Sequence, residues 1–307
     1  MTLLAALRGI SGVHVTPFDA EDRIQPEVLR AVIERLAAAG IDNIVAAGNT
    51  GEFYALDPRE ITALYAQVVQ ANAGRSTVTA GVGRSVAEAR ALARAAALAG
   101  ADAVMIHQPP DPFASPEGMV AYSHAVAEAS PVPAILYIRR DIFAEDEFAR
   151  LLDHPNIVGM KYAVPDVVKL AERLRLAAPM DKIAVCGLAE PWAPAFRAAG
   201  AQGFTSGLVN VLPELSLSVR DALARGDYAA ARASCERIAD FEALRAMQGN
   251  GWNVTVVKQA MRRMGFAVGP ARAPATAELP AAHAQRLDAI LAAWGCIPAP
   301  VKLTGAG

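Results

Sequence analysis

The sequence predicts an α/β protein, a (β/α)8 TIM barrel with a C-terminal helical extension. Three observations carry this: eight short β-rich runs each followed by an alanine-rich amphipathic stretch, strand runs that are continuously apolar, and a purely helical pattern after about residue 225. The runs are Gly12–Thr16, Asn43–Ala46, Thr77–Ala80, Ala103–Ile106, Ala134–Tyr137, Val158–Tyr162, Ile183–Cys186 and Gly203–Ser206. Runs such as Ala103-Val104-Met105-Ile106 do not alternate, as expected of strands covered on both faces.

The helical patterns span Pro26–Ala39, Pro58–Asn72, Val86–Ala99, Pro116–Ser130, Ala144–Leu152, Asp166–Ala177, Glu190–Ala199 and Leu212–Ala224. Pro26, Pro58 and Pro116 stand near helix starts, where a missing N–H costs nothing. Three helices close in Ala-Gly (Gly40, Gly100, Gly200), where glycine supplies the left-handed residue before a short loop. A doubly wound sheet is the competing architecture. It would carry Gly-x-Gly-x-x-Gly after its first strand, and Gly9-Ile10-Ser11-Gly12 instead precedes or opens that strand. The barrel is thus expected over 1–224, a helical region packed on it over 225–297 (Asp227–Gln248, Trp252–Met264, Ala281–Ala293), and a tail over 298–307.

Composition narrows the function. The 307 residues are 53% hydrophobic and 20% charged, enough for a large core. A formal charge of -2 offers no polycationic face for nucleic acid or anionic membrane. Cys186, Cys235 and Cys296 make no paired spacing, and no apolar run is long enough to span a bilayer, so a cytoplasmic protein is expected. His14, His107, His124, His154 and His283 form no metal-ligand spacing; no metal and no cofactor are expected.

In a (β/α)8 barrel, chemistry sits at the C-terminal ends of the strands. The polar residues there are His14, Thr16, Asn49-Thr50-Gly51-Glu52, Arg84, His107-Gln108, Tyr137, Arg139-Arg140, Lys161-Tyr162, Glu190, Ser206 and Asn210. Lys161 is distinctive: only five of the 29 basic residues are lysines, and it alone lies inside an apolar strand. An exposed lysine is protonated at neutral pH, whereas a buried amine can attack a carbonyl. A lysine there could equally pair with a carboxylate such as Glu52, and placement alone leaves both readings open. Tyr137, one strand earlier, could carry protons or simply pack. The turn Gly48-Asn49-Thr50-Gly51-Glu52 could cradle a carboxylate on its N–H groups or merely feed the next helix.

Together these residues resemble the dihydrodipicolinate synthase / N-acetylneuraminate lyase family. The likeness rests on Gly-x-Thr-Gly-Glu after strand 2, Tyr137 after strand 5, Val-Gly-Met-Lys on strand 6, Val15-Thr16-Pro17-Phe18, and Gly203-Phe204-Thr205-Ser206-Gly207, and covers about residues 9–295. It implies an imine between Lys161 and C2 of pyruvate or a 2-oxo acid, with Tyr137 as proton shuttle. It implies carboxylate binding by Thr50, Asn49 and the Gly51 turn, and a pocket lined by Gly187, Ser206 and Leu208. A small-molecule 2-oxo acid partner and a homotetramer also follow from it.

Three departures bear on the substrate. Asn49 stands where the family usually has Thr or Ser, and cannot pass a proton as a hydroxyl does. His107-Gln108-Pro109-Pro110 replaces the synthase branch's second tyrosine, and His107 could take its acid–base role or be structural. After Tyr137 the chain reads Ile138-Arg139-Arg140-Asp141, where one arginine could clamp a second carboxylate or a hydroxylated chain and the other be solvated or paired with Asp141. The expected function is a Schiff-base lyase, an aldolase or dehydratase of a 2-oxo-3-deoxy sugar acid. The alternatives are dihydrodipicolinate synthase itself, condensing pyruvate with aspartate semialdehyde, and a non-catalytic barrel that binds a 2-oxo acid.

Overall fold

The computed structural model describes residues 1–298. Eight parallel strands close in sequence order: β1 (Ile10–Val13), β2 (Asn43–Ala46), β3 (Thr77–Val82), β4 (Ala103–His107), β5 (Ala134–Ile138), β6 (Ile157–Tyr162), β7 (Ile183–Cys186) and β8 (Gly203–Ser206). The helices are α1 (Leu3–Leu7), α2 (Pro26–Ala38), α3 (Pro58–Asn72), α4 (Val86–Leu98), α5 (Pro116–Ala129), α6 (Glu145–Leu152), α7 (Val167–Ala177), α8 (Ala193–Ala199) and α9 (Pro213–Ala224), followed by α10 (Tyr228–Asn250), α11 (Asn253–Arg263) and α12 (Ala281–Ala293). The tail expected over 298–307 lies, Pro298 apart, outside the described residues.

Two local expectations needed correcting. The first strand begins at Ile10, because Ile10 pairs with Phe204 of β8 and donates its N–H to Asp42 at 2.8 Å. It ends at Val13, where Asn210 takes over the ladder. The Asn210 amide donates to Val13 O at 2.8 Å and accepts from Val15 N–H at 3.2 Å. Helix 190–199 is instead a 3-10 turn, Glu190–Trp192, leading into α8. The short helix α1 has no counterpart in the sequence reading. Thr2 caps it, and its buried Leu7 packs against Ala103, Ile135, Ile183 and Val185 to plug the N-terminal end of the barrel.

The period of two sorts each strand's side chains. Ile135 and Tyr137 of β5 point inward, while Leu136 and Ile138 join the shell shared with the outer helices. A second apolar cluster runs without a break from Val15, Val32, Leu208 and Leu215 to Ile238, Phe241, Val256 and Leu287 of the last three helices. The C-terminal helices therefore share a core with the barrel.

Candidate active site

A cavity of about 770 Å³ opens at the C-terminal ends of the strands. Lys161 lies on its wall, buried, on the strand whose neighbouring side chains Met160 and Tyr162 belong to the outer shell. Gly159 sets this strand's position: a Cβ there would stand 2.2 Å from Ile183 O, so no other residue permits the approach to β7. Register places Tyr137 beside Lys161, and Lys161 Nζ sits 4.0 Å from the centre of the Tyr137 ring. Among the described residues no carboxylate pairs with Lys161. Glu52, the partner that sequence allowed it, is held instead by Lys258 at 2.5 Å.

The turn after β2 forms the next wall. Thr16 Oγ1 donates to Gly51 O at 2.7 Å, and Glu52 N–H donates to Asn49 O at 3.0 Å, which fixes the loop. Gly48 is required here, since a Cβ would come within 2.5 Å of Val13 Cγ1. Asn49 and Thr50 line the cavity, and the Asn49 amide donates to the Tyr137 hydroxyl at 3.3 Å. Asn49 thus orients the phenol. Ala47, Glu52, Arg84 and Ala189 hold left-handed backbone angles beyond β2, β3 and β7, with φ between 52° and 73°. Strain of this kind is maintained only where surrounding structure enforces it.

Of the other residues singled out in the sequence, Arg139, Gly187 and Ser206 line the cavity, whereas Gly51, His107, Arg140 and Leu208 do not. Gly51 supports the turn from behind, and Leu208 is fully buried in the cluster shared with the C-terminal helices. His107 is walled in behind Tyr137, stacked on Phe53 at 4.4 Å. Burial, then the charges of Lys161 and Arg139, push it down to about 3, so it is neutral and cannot supply a proton at neutral pH. Gln108 fastens the Arg139 and Arg140 backbones, its Oε1 accepting both N–H groups at 2.8 Å. Asp141 pairs with neither arginine. Arg173 takes it at 2.8 Å, buried, with the Tyr162 hydroxyl also donating to it.

Sequence reasoning missed the far wall, which the C-terminal half supplies. Trp192, Cys235, Glu242, Arg245 and Asn253 all face the cavity. Arg245 is almost wholly buried, donating to Glu242 at 2.6 Å and to Asn253 Oδ1 at 3.0 Å. A Cβ on Gly207 would stand 2.6 Å from Arg245 Nη2 and 3.2 Å from Thr50 Oγ1, so α10 and the β2 turn meet over that glycine. In sequence Glu242 and Arg245 read as an ordinary i,i+3 surface pair, and no local signal separates them from one. Behind Ser206 lies Glu190, fully buried. Among the described residues no cluster of three or more His, Cys, Asp or Glu could hold a metal, and no helix is long and apolar enough to cross a membrane.

The profile of the Dihydrodipicolinate synthetase family matches residues 6–294. A protein of Cereibacter sphaeroides strain KD131 named probable 5-dehydro-4-deoxyglucarate dehydratase is 33% identical, over 87% of this chain and 89% of its own. Among solved structures, dihydrodipicolinate synthase from Bacillus clausii is 38% identical with a TM-score of 0.92, covering 95% of this chain and 99% of that one. The enzyme of that name from Oceanobacillus iheyensis is 38% identical with a TM-score of 0.91, covering 94% and 96%. The chain belongs to the dihydrodipicolinate synthetase family and is a lyase-type enzyme.

Proposed function

We propose that the protein is a Schiff-base lyase that dehydrates a 2-oxo-3-deoxy sugar diacid. The observation that carries this is Lys161: a buried amine on the wall of a large cavity, against the Tyr137 ring and with no carboxylate partner among the described residues. Lys161 Nζ attacks the C2 carbonyl, and the carbinolamine hydroxyl takes the Tyr137 phenol proton and leaves as water, giving a cationic imine and a phenolate. The imine draws electrons from C3, whose proton passes to that phenolate. The enamine so formed expels the C4 hydroxyl as water with a proton from the solvent of the open cavity, and hydrolysis of the imine returns that proton and frees product and Lys161. Thr50 and Asn49 take the C1 carboxylate.

The cavity wall favours a substrate with a second anionic end. Arg139 faces it with no carboxylate partner among the described residues, and a guanidinium group binds a carboxylate through paired N–H donors. Read from its oxo end, 5-dehydro-4-deoxyglucarate is a 2-oxo-3-deoxy diacid with a hydroxyl at C4, and relatives carry the name of its dehydratase. The synthase reading is favoured by the names of the structural neighbours. Against it, the segment 108–115 after β4 carries no tyrosine. A homotetramer and a cytoplasmic location belong to the same proposal.

Incubation with pyruvate, borohydride reduction and intact-mass analysis should give one covalent adduct, mapped to Lys161. No adduct would end the Schiff-base reading altogether. With an adduct in hand, turnover of 5-dehydro-4-deoxyglucarate without condensation of aspartate semialdehyde supports the dehydratase; the reverse result identifies a synthase.

A further inference from the structure

We propose that Gln108 is a positioning residue for diacid selection: its side-chain amide sets the backbone from which Arg139 reaches the distal carboxylate of a substrate held on Lys161. This deepens the diacid reading and rests on it. β4 ends at His107, which pairs with Tyr137 of β5. Pro109 and Pro110 follow, and neither has an N–H, so β4 has no further donor for its ladder to β5. The Gln108 side chain takes over that edge. Its Oε1 accepts the Arg139 and Arg140 N–H groups, each at 2.8 Å, and its Nε2 donates to Arg140 O at 2.9 Å. A side-chain amide offers the same kind of acceptor and donor as a peptide group.

The backbone around Arg139 is fixed on both sides, while its side chain is left unpaired. Before it, Ile138 O accepts the Ala163 N–H at 2.8 Å. After it, Asp141 is bound by Arg173 and by the Tyr162 hydroxyl, each at 2.8 Å. Gln108 is itself held, its carbonyl accepting from the Tyr54 hydroxyl at 3.1 Å. The Arg139 side chain, by contrast, is exposed, faces the cavity and has no carboxylate partner among the described residues. Ordering the backbone beneath a free guanidinium lowers the entropy that binding must give up. The charge of Arg139 reaches the neighbouring walls. Burial raises the Tyr54 phenol against the pull of Arg139, and burial lowers His107 with Lys161 and Arg139 adding to the effect.

The placement suits the far end of a diacid. Both Tyr137 and Arg139 line the cavity, as the period of two along β5 dictates, and Arg139 stands roughly 6–7 Å nearer the mouth. Register sets Lys161 beside Tyr137, so the imine carbon lies at the level of Tyr137. With the C1 carboxylate on the Asn49–Thr50 turn, the chain beyond C3 runs outward and brings its last carboxylate to Arg139. Paired N–H donation demands a guanidinium held in register with both carboxylate oxygens. A small displacement of the 139–140 backbone forfeits it. A monoacid has nothing for Arg139 to bind and is indifferent to Gln108.

The test uses the full-length enzyme and borohydride trapping on Lys161, read by intact mass against 2-oxo acid concentration. The probes are pyruvate, 2-oxoadipate, which has a carboxylate at each end, and 2-oxohexanoate, the monoacid of the same chain length. Wild type should half-saturate with 2-oxoadipate at a concentration about tenfold below that for 2-oxohexanoate. Arg139→Ala and Gln108→Met, the latter keeping length without either polar end, should each remove about tenfold for 2-oxoadipate. Pyruvate and 2-oxohexanoate should label every variant as they label wild type. The double variant should stand within about twofold of Arg139→Ala, because both changes act through one guanidinium. An intact preference in Gln108→Met beside a lost one in Arg139→Ala would overturn the role of Gln108 and leave the diacid reading standing. Equal losses with all three probes would mark general loosening and sink the proposal, as would a double variant whose loss is the product of the single ones. Should Gln108→Met fail to fold, Gln108→Asn, whose amide stops a methylene short, decides on the same probes. No wild-type preference for 2-oxoadipate would end the diacid reading and this proposal together, and no adduct with pyruvate would end the imine reading beneath both.

Discussion

Two buried lysines occupy neighbouring regions of this molecule under opposite conditions. Lys161 stands in the barrel mouth against the Tyr137 ring, with no anion to hold it among the described residues. Lys258, on α11 where the C-terminal helices meet the β2 turn, is fully engaged. It pairs with Glu52 at 2.5 Å, donates to Pro270 O at 2.9 Å and lies 4.2 Å from the centre of the Phe18 ring. Arg272 N–H donates to the second Glu52 oxygen at 2.7 Å. Burial pushes Lys258 down to about 8 against the pull of Glu52, and burial likewise raises Glu52 against the pull of Lys258. Burial alone therefore does not make a lysine a nucleophile. What distinguishes the two regions is whether a carboxylate occupies the amine.

The strongest way to break this contrast is to remove each amine. Lys161→Met should reduce turnover by on the order of 10⁴-fold while leaving the thermal midpoint nearly unchanged, since no ion pair is lost. Steady-state kinetics and a thermal melt on one preparation check both. Lys258→Met should do the reverse. It strands Glu52 in a dry site, which costs about 3–5 kcal/mol, read by urea denaturation, and adding Glu52→Gln should restore most of it. If both substitutions struck activity and stability alike, the division between the two regions would not hold.

The smallest expected effect concerns the carboxylates, where the contrast repeats: Glu52 has a cation and, among the described residues, Glu190 has none. The fold holds the Glu190 carboxyl near 7 against an ordinary value of 4.5. Between those values the folded protein keeps a proton that the unfolded chain has lost. The contribution is complete below about 4.5 and is lost as pH rises through 7. Glu190→Gln should flatten that part of the decline, measured as the difference between variant and wild type in denaturant midpoints from pH 4.5 to 7.5. A parallel slope in both would mean that Glu190 carries no such charge.

Much of the barrel was legible because its signals are local. Apolar strand runs, the closing glycines Gly40, Gly100 and Gly200 (φ 80°, 90° and 115°), and prolines at the first turns of α2, α3 and α5 all report on residues within a few positions of themselves. The missed pieces depend on distant partners. β1 begins and ends where Phe204 and Asn210 dictate, and α1 exists because Leu7 fills the open floor of a closed barrel.

The site divides in the same way. Sequence by itself determined that Lys161 and Tyr137 share a barrel end, because strand position and the period of two suffice to aim both inward. It could not determine which carboxylate belonged to which base. Glu52 went to Lys258 and Asp141 to Arg173, over separations of 206 and 32 residues that no local pattern spans. It also left Arg245 and Glu242 looking like surface charges, and placed Glu190 only at a strand end, because an ion's environment is set by what packs over it. Here that is the C-terminal helices laid across the barrel mouth, and only the tertiary structure put them there.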